Sequence, residues 1–165
     1  MNGVIGLHIT IVSVGKIKEA YLKDGVAEYT KRLSHYCSLS IKEVSDESAP
    51  DNLSEAEIKR VKEREGTRIL KHVTEGMYII VLDSGGVMLT SEAFSSKLQE
   101  LSLEGKSNLC IIIGGSLGIS VNVLKRADFT LSFSKMILPH QLIRLVLLEQ
   151  IYRAYRIARN EPYHK

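Results

Sequence analysis

The chain is predicted to be an α/β protein, a mostly parallel sheet flanked by helices. Three observations predict it. Segments rich in β-branched residues alternate along the chain with segments of helical periodicity. Two strand-like segments, residues 77–82 (MYIIVL) and 109–113 (LCIII), are apolar throughout, as strands covered on both faces are. The 165 residues, 44% hydrophobic and 25% charged, suffice for one domain with a sizeable core.

The elements follow in order. Residues 7–14 (LHITIVSV) alternate and form a first strand, ended by Gly15 and Lys16. Residues 19–35 place Tyr21, Leu22, Val26, Tyr29 and Leu33 at helical spacing. Ser38–Val44 (SLSIKEV) alternates again and makes a second strand. The polar loop 45–53 around Pro50 is the only candidate linker. Ser54 and Glu57 have capping-box spacing and start a charged helix to about Val73. Its charges, with Glu55 four before Lys59, read as a solvated face.

After the strand 77–82, Asp83-Ser84-Gly85-Gly86 are expected to turn the chain sharply. Thr90 caps a helix to about Leu103. The strand 109–113 runs into Gly114-Gly115-Ser116-Leu117-Gly118, then a short helix over 121–127 and a last strand over 129–133. Pro139 suits the first turn of one long helix, which leads into a polar tail.

Charge is concentrated at the C-terminal end. Residues 129–165 hold six Lys and Arg against two Glu, a net +4, where the whole chain carries +3. An anionic partner is expected there. On the long helix, Glu149, Gln150, Arg153, Arg156 and Asn160 share one side. Arg144 falls on the other, beside His140, Leu148, Ile151 and Tyr155. Burying a charge is costly unless it is paired or bound. Two readings of Arg144 stay open, a functional placement with His140 or a reach to a nearby carboxylate.

Composition narrows the classes. Cys37 and Cys110 are far apart and lack metal-ligand spacing, and Cys110 sits in an apolar run as a small hydrophobe. No metal site is expected. No apolar stretch approaches a membrane span, and the N-terminal residues lack the basic region and cleavage site of a secretory signal, so a cytoplasmic protein is expected.

Ligands of open parallel sheets bind beyond the carboxyl ends of the strands. Three such ends carry unusual residues: 82–86, 114–118 and 132–139. The second fits neither G-x-G-x-x-G nor the P-loop pattern, but it matches G-x-S-x-G, the turn that presents a nucleophilic serine. Ser116, Asp128 and His140 follow in the hydrolase order, although Asp128 precedes a strand where that fold needs it after one. A serine hydrolase is therefore one alternative. A non-catalytic RNA-binding protein using the basic helix is another.

IIIGGSLG, LSFSKMILPHQLIRLVLLEQIYRA and the closing PYHK resemble the small ribosomal RNA methyltransferases of the RlmH type, in the SPOUT class. ITIVSVGKIKEAYLKDGVAEYTKRL and EVSDESAP…EIKRVKEREGTRIL fit the same pattern, so the resemblance spans about residues 8–165. It implies one SPOUT domain over 1–165, with 1–6 as a loose extension, and a C-terminal segment threaded into a trefoil knot. It implies S-adenosylmethionine as cofactor, a homodimer, and methylation of N3 of a pseudouridine in large-subunit ribosomal RNA of the assembled ribosome. Cofactor binding then falls to Leu82, Asp83, Gly114, Gly115, Gly118, Ser132, Phe133, Ser134, Lys135, Met136, Ile137, Leu138 and Pro139. Catalysis falls to His140, Arg144, Tyr163, His164 and Lys165, and RNA contact to Arg153, Arg156 and Lys165. The tail of one subunit is expected to complete its partner's pocket.

Overall fold

The structure, a computed structural model, describes residues 6–163. The expected N-terminal extension, Gly6 apart, falls outside them. Five strands build one sheet: β1 (His8–Val14), β2 (Ser38–Val44), β3 (Tyr78–Met88), β4 (Asn108–Ile113) and β5 (Phe129–Ser132). Their order is β2-β1-β4-β3-β5 and every pairing is parallel. The helices are α1 (Ala20–Leu33), α2 (Glu55–Leu70), α3 (Ser91–Leu103), α4 (Val121–Arg126) and α5 (His140–Ala158).

The period-2 pattern sorts side chains into two cores. Ile9 and Ile11 of β1, Leu109, Ile111 and Ile113 of β4, and Ile80 and Leu82 of β3 face α1, α3 and α5. Val12 and Val14, Cys110 and Ile112, and Ile79 and Val81 face α2 and α4. Steps toward the β2 edge carry α1 and α3; steps toward the β5 edge carry α2 and α4. That segregation is what a single hand of crossover requires. α5 then returns across the sheet from β5 and packs against α1 and α3. Its buried stripe is Leu147, Leu148, Ile151, Ala154 and Tyr155, with Arg144 inside it, as the helical spacing places it.

Several boundaries differ from the sequence reading. Asp83 to Gly86 do not end β3. The strand continues to Met88, and its pairing with β5 slips so that Leu82 and Val87 both oppose Leu131. A bulge of this kind re-aims a strand without leaving the sheet. Gly86 permits it, since a Cβ there would stand 2.7 Å from Leu131 C and Thr130 O. The capping box forms as expected, with Ser54 Oγ accepting from Glu57 N at 3.2 Å and Ser54 N donating to Glu57 Oε2 at 2.7 Å. The helix it opens stops at Leu70, short of Val73. Lys59 pairs forward with Glu63 at 3.9 Å. Loop 45–53 folds onto α2, where Glu47 meets Arg68 and lies 3.9 Å from Arg64. Pro139 stands one residue before α5, and its carbonyl accepts the Ile143 N–H at 3.0 Å.

Candidate functional site

The three singled-out loops converge on one cavity of about 560 Å³. Its wall comes from Leu82, Asp83 and Ser84 at the bulge of β3, residues 113–119 at the end of β4 and beyond it, and residues 131–140 around β5, without Lys135. Ile143 of α5 closes one side. The second and third leave the carboxyl ends of β4 and β5, and the first is the bulged stretch of β3 opposite Leu131, which is why they meet.

Backbone forms much of this wall. Gly118 takes φ +97°, and its amide donates to the Gly115 carbonyl at 3.1 Å, closing a tight turn. A side chain at Gly115 would not enter the cavity; its Cβ would point inward, 3.1 Å from Val14 Cγ1 and 2.9 Å from Glu65 Oε2. The loop is thus pressed between the cavity and the core. In the third loop, Ser132 Oγ donates to the Ser134 carbonyl at 3.0 Å and Ser134 Oγ accepts from Met136 N at 2.9 Å. These bonds hold the turn while Met136 and Ile137 stay 79% and 96% exposed. Lys135 is exposed beside them.

His140 sits at the start of α5 on the cavity wall and is half-buried. Burial pushes its pKa down, and the neighbouring Arg144 guanidinium pushes the same way, so the imidazole is neutral at physiological pH. Arg144 lies one turn on but points elsewhere. It is 3% exposed, and it donates to Glu43 Oε2 at 2.7 Å, Val14 O at 2.8 Å and Gly15 O at 2.6 Å. The carboxylate reading of this arginine is the one its contacts fit. Its side lines a separate, smaller cavity of about 260 Å³ with Ile11, Ile41 and Leu148.

The tail is not frayed at Tyr163. Its hydroxyl donates to Glu149 Oε1 at 2.6 Å, and its ring lies under Arg153 at 3.9 Å and against Tyr152 at 5.4 Å. Glu149 is nine residues along α5 from His140, about 14 Å at 1.5 Å per residue, so Tyr163 is remote from its own chain's cavity. Arg153 also pairs with Glu149, and Arg156 pairs with Glu161 at 2.7 Å. His164 and Lys165 lie outside the described residues.

The hydrolase alternative loses its third member. Asp128 Oδ2 accepts the Ile79 N–H at 2.7 Å, near the start of β3, whereas Ser116 and His140 line the cavity at the carboxyl ends of β4 and β5. A parallel sheet puts a residue that precedes β5 at the amino ends of the strands, the wrong end for a triad.

Sequence reading missed Glu65. It assigned the charges of α2 to solvent, yet Glu65 is 4% exposed. The available signal was the step Glu65-Gly66, a glycine inside a helix that costs roughly 1 kcal/mol and marks a close approach.

The model of the family described as "Predicted SPOUT methyltransferase" matches residues 7–164. The chain belongs to this family. Membership implies for the C-terminal segment the knot that the resemblance anticipated. Proteins named "Ribosomal RNA large subunit methyltransferase H" from Clostridium kluyveri and Alkaliphilus oremlandii are each 58% identical over 159 residues, covering 96% of this chain and all of the relative. Among solved structures, a tRNA (m1G37) methyltransferase from Aquifex aeolicus shares the fold, with a TM-score of 0.53 at 14% identity over 96% of this chain and 75% of that one.

Proposed function

We propose that this chain is a single-domain methyltransferase of large-subunit ribosomal RNA that uses S-adenosylmethionine and acts in the cytoplasm, as a homodimer, on N3 of a pseudouridine in the assembled ribosome. The observation that carries this reading is the end-to-end match to relatives named for large-subunit ribosomal RNA methylation, in a chain whose three matching loops enclose one cavity.

The cavity suits the cofactor. It has the size of a small-molecule site, and its lining combines apolar Leu82, Ile113 and Leu131 with Gly114, Gly115 and Gly118, which have only backbone to offer. When bound there, S-adenosylmethionine would supply a methyl group carried on a sulfonium, with the neutral thioether as leaving group. The protein's task is then to hold the target nitrogen in line with that methyl and to take its proton. Backbone of Leu82, Gly115, Ser134 and Leu138 holds the adenosyl part. Neutral His140, on the wall, is an acceptor for the N3 proton. Arg144 acts at a distance, fixing α5, and with it His140, to the ends of β1 and β2. Tyr163, His164 and Lys165 serve the partner's cavity, where an aromatic ring stacks on a base and cations meet phosphate. Arg153 and Arg156 add positive field along the same face.

Titration calorimetry with and without a chelator tests the cofactor, with metal-independent binding expected. Mass spectrometry of ribosomal RNA from cells lacking this protein tests the target, and loss of one methyl on a pseudouridine is expected. Cofactor-independent RNA binding with unchanged methylation would favour the non-catalytic reading.

A further inference from the structure

Glu65 lies behind the cavity's glycine loop and forms no ion pair among the described residues. It stands on α2, where Gly66 beside it lets the helix press on the start of α4; a Cβ at Gly66 would be 2.4 Å from Ser120 Oγ. Glu65 Oε1 accepts the Glu47 N–H at 3.1 Å. Oε2 is sealed from solvent and has no hydrogen-bond partner among the described residues. Both oxygens face Gly115, since a Cβ there would stand 2.9 Å from Oε2 and 3.2 Å from Oε1. One thickness of backbone therefore separates the carboxyl from the cavity.

Its charged surroundings do not neutralise it. Asp46 and Glu47 approach from the loop after β2, and Arg68 from the next turn of α2. Arg68 and Arg64 are both directed to Glu47. β1 contributes uncharged Val14, and residues 114–118 carry no charge. Burial, with Asp46 and Glu47 adding to it, raises the carboxyl's pKa against the opposing Glu47 N–H and Arg68. Ionising Glu65 is thus costly where no cation stands opposite it. A cation on the far side of Gly115 offsets that cost.

We infer that Glu65 is the specificity-determining countercharge of this cavity, favouring a sulfonium ligand over its neutral thioether product. The inference rests on the reading of the cavity as an S-adenosylmethionine site. A carboxylate one backbone away, in a partly screened interior, changes the ratio of the two affinities on the order of tenfold. Loss of the positive charge on methyl transfer then weakens the hold on the product.

The test compares S-adenosylmethionine with S-adenosylhomocysteine on wild-type protein and Glu65→Gln, by calorimetry. Glutamine keeps the shape and the Oε1 acceptor for Glu47 N. The substitution is expected to weaken S-adenosylmethionine roughly tenfold while leaving S-adenosylhomocysteine unchanged. In wild type, sulfonium affinity should also fall as the pH is lowered and Glu65 takes its proton, with no such fall for the thioether and a smaller one in Glu65→Gln, where His140 alone of the two takes up a proton. Equal affinities in wild type and variant overturn the inference, and so does equal weakening of both ligands, which marks a merely structural role. A Glu65→Gln protein that does not fold, by circular dichroism, shifts the decision to the wild-type pH profiles, where parallel profiles overturn it. Binding of neither ligand to wild type overturns the cofactor reading itself.

Discussion

Arg144 Nη1 lies 2.7 Å from Glu43 Oε2, joining residues 101 positions apart, while its Nη2 ties down the carbonyls of Val14 and Gly15. One buried guanidinium thus fastens the start of α5 to the carboxyl ends of β1 and β2. Removing one side of a buried charged contact costs about 3–5 kcal/mol, so Arg144→Ala should lose most of that in urea unfolding. Glu43 is 39% exposed at its side chain, so Glu43→Gln should cost less, about 1 kcal/mol. A larger loss from Glu43→Gln than from Arg144→Ala would show that the carbonyl contacts do not hold α5.

His140 gives the protein an acid-side weakness. Its pKa is lowered in the fold by burial and by Arg144. The unfolded chain therefore takes up the proton first as pH falls below about 6.5. Stability contributed by the neutral imidazole is present above that pH and is lost as pH falls through the folded value. His140→Gln should flatten this part of the stability profile. If the imidazole also accepts the target proton, the variant should lose ~10²-fold or more in methylation rate, with cofactor affinity little changed. An unaltered rate would remove His140 from the chemistry.

Gly86 is where β3 leaves no room for a side chain against the backbone of β5. Alanine there would set a methyl 2.7 Å from Thr130 O and Leu131 C, backbone atoms that cannot swing aside. Gly86→Ala should destabilise by about 1–3 kcal/mol and weaken cofactor binding through displacement of β5. Gly6→Ala is the control, because its Cβ meets only Tyr36 O, at an ordinary 3.8 Å, with no left-handed backbone to strain. Equal melting temperatures for the two variants would mean that β5 yields freely.

The tail prediction needs two subunits. Deleting Tyr163, His164 and Lys165 should leave S-adenosylmethionine binding intact and abolish methylation of ribosomes. In a mixed dimer, one subunit would carry the deletion and the other His140→Gln. If tails act across the dimer, the intact cavity on the deleted subunit receives its partner's tail and about one site's activity survives, about half the wild-type rate. A dead mixed dimer would assign each tail to its own chain, and a clean monomer by light scattering would sink the dimer altogether.

The strands show which features are local. Alternation in residues 38–44 and unbroken apolarity in 109–113 place β2 and β4 within a residue of their observed ends, because burial on one face or both is written in the side chains. β3 runs six residues beyond its expected end. Asp-Ser-Gly-Gly favours turns locally, but pairing with β5 keeps the segment extended, and no local signal carries the partner. α2 fails for a related reason. A charged helix looks the same in sequence whether all of it faces water or one glutamate is turned beneath a distant loop.

The sequence by itself determined the α/β class, the family, two of the three loops at strand ends and the misplaced arginine of α5. These depend on residue type, period and spacing along the chain. Only the tertiary structure decided that Arg144 answers Glu43, that Asp128 stands at the wrong end of the strands for a triad, that Tyr163 folds back on Glu149, and that Glu65 is buried behind Gly115. Each of those facts joins residues 14 to 101 positions apart. Such pairings depend on which strand lies beside which, and the order β2-β1-β4-β3-β5 is a property of the packed sheet rather than of any stretch of chain.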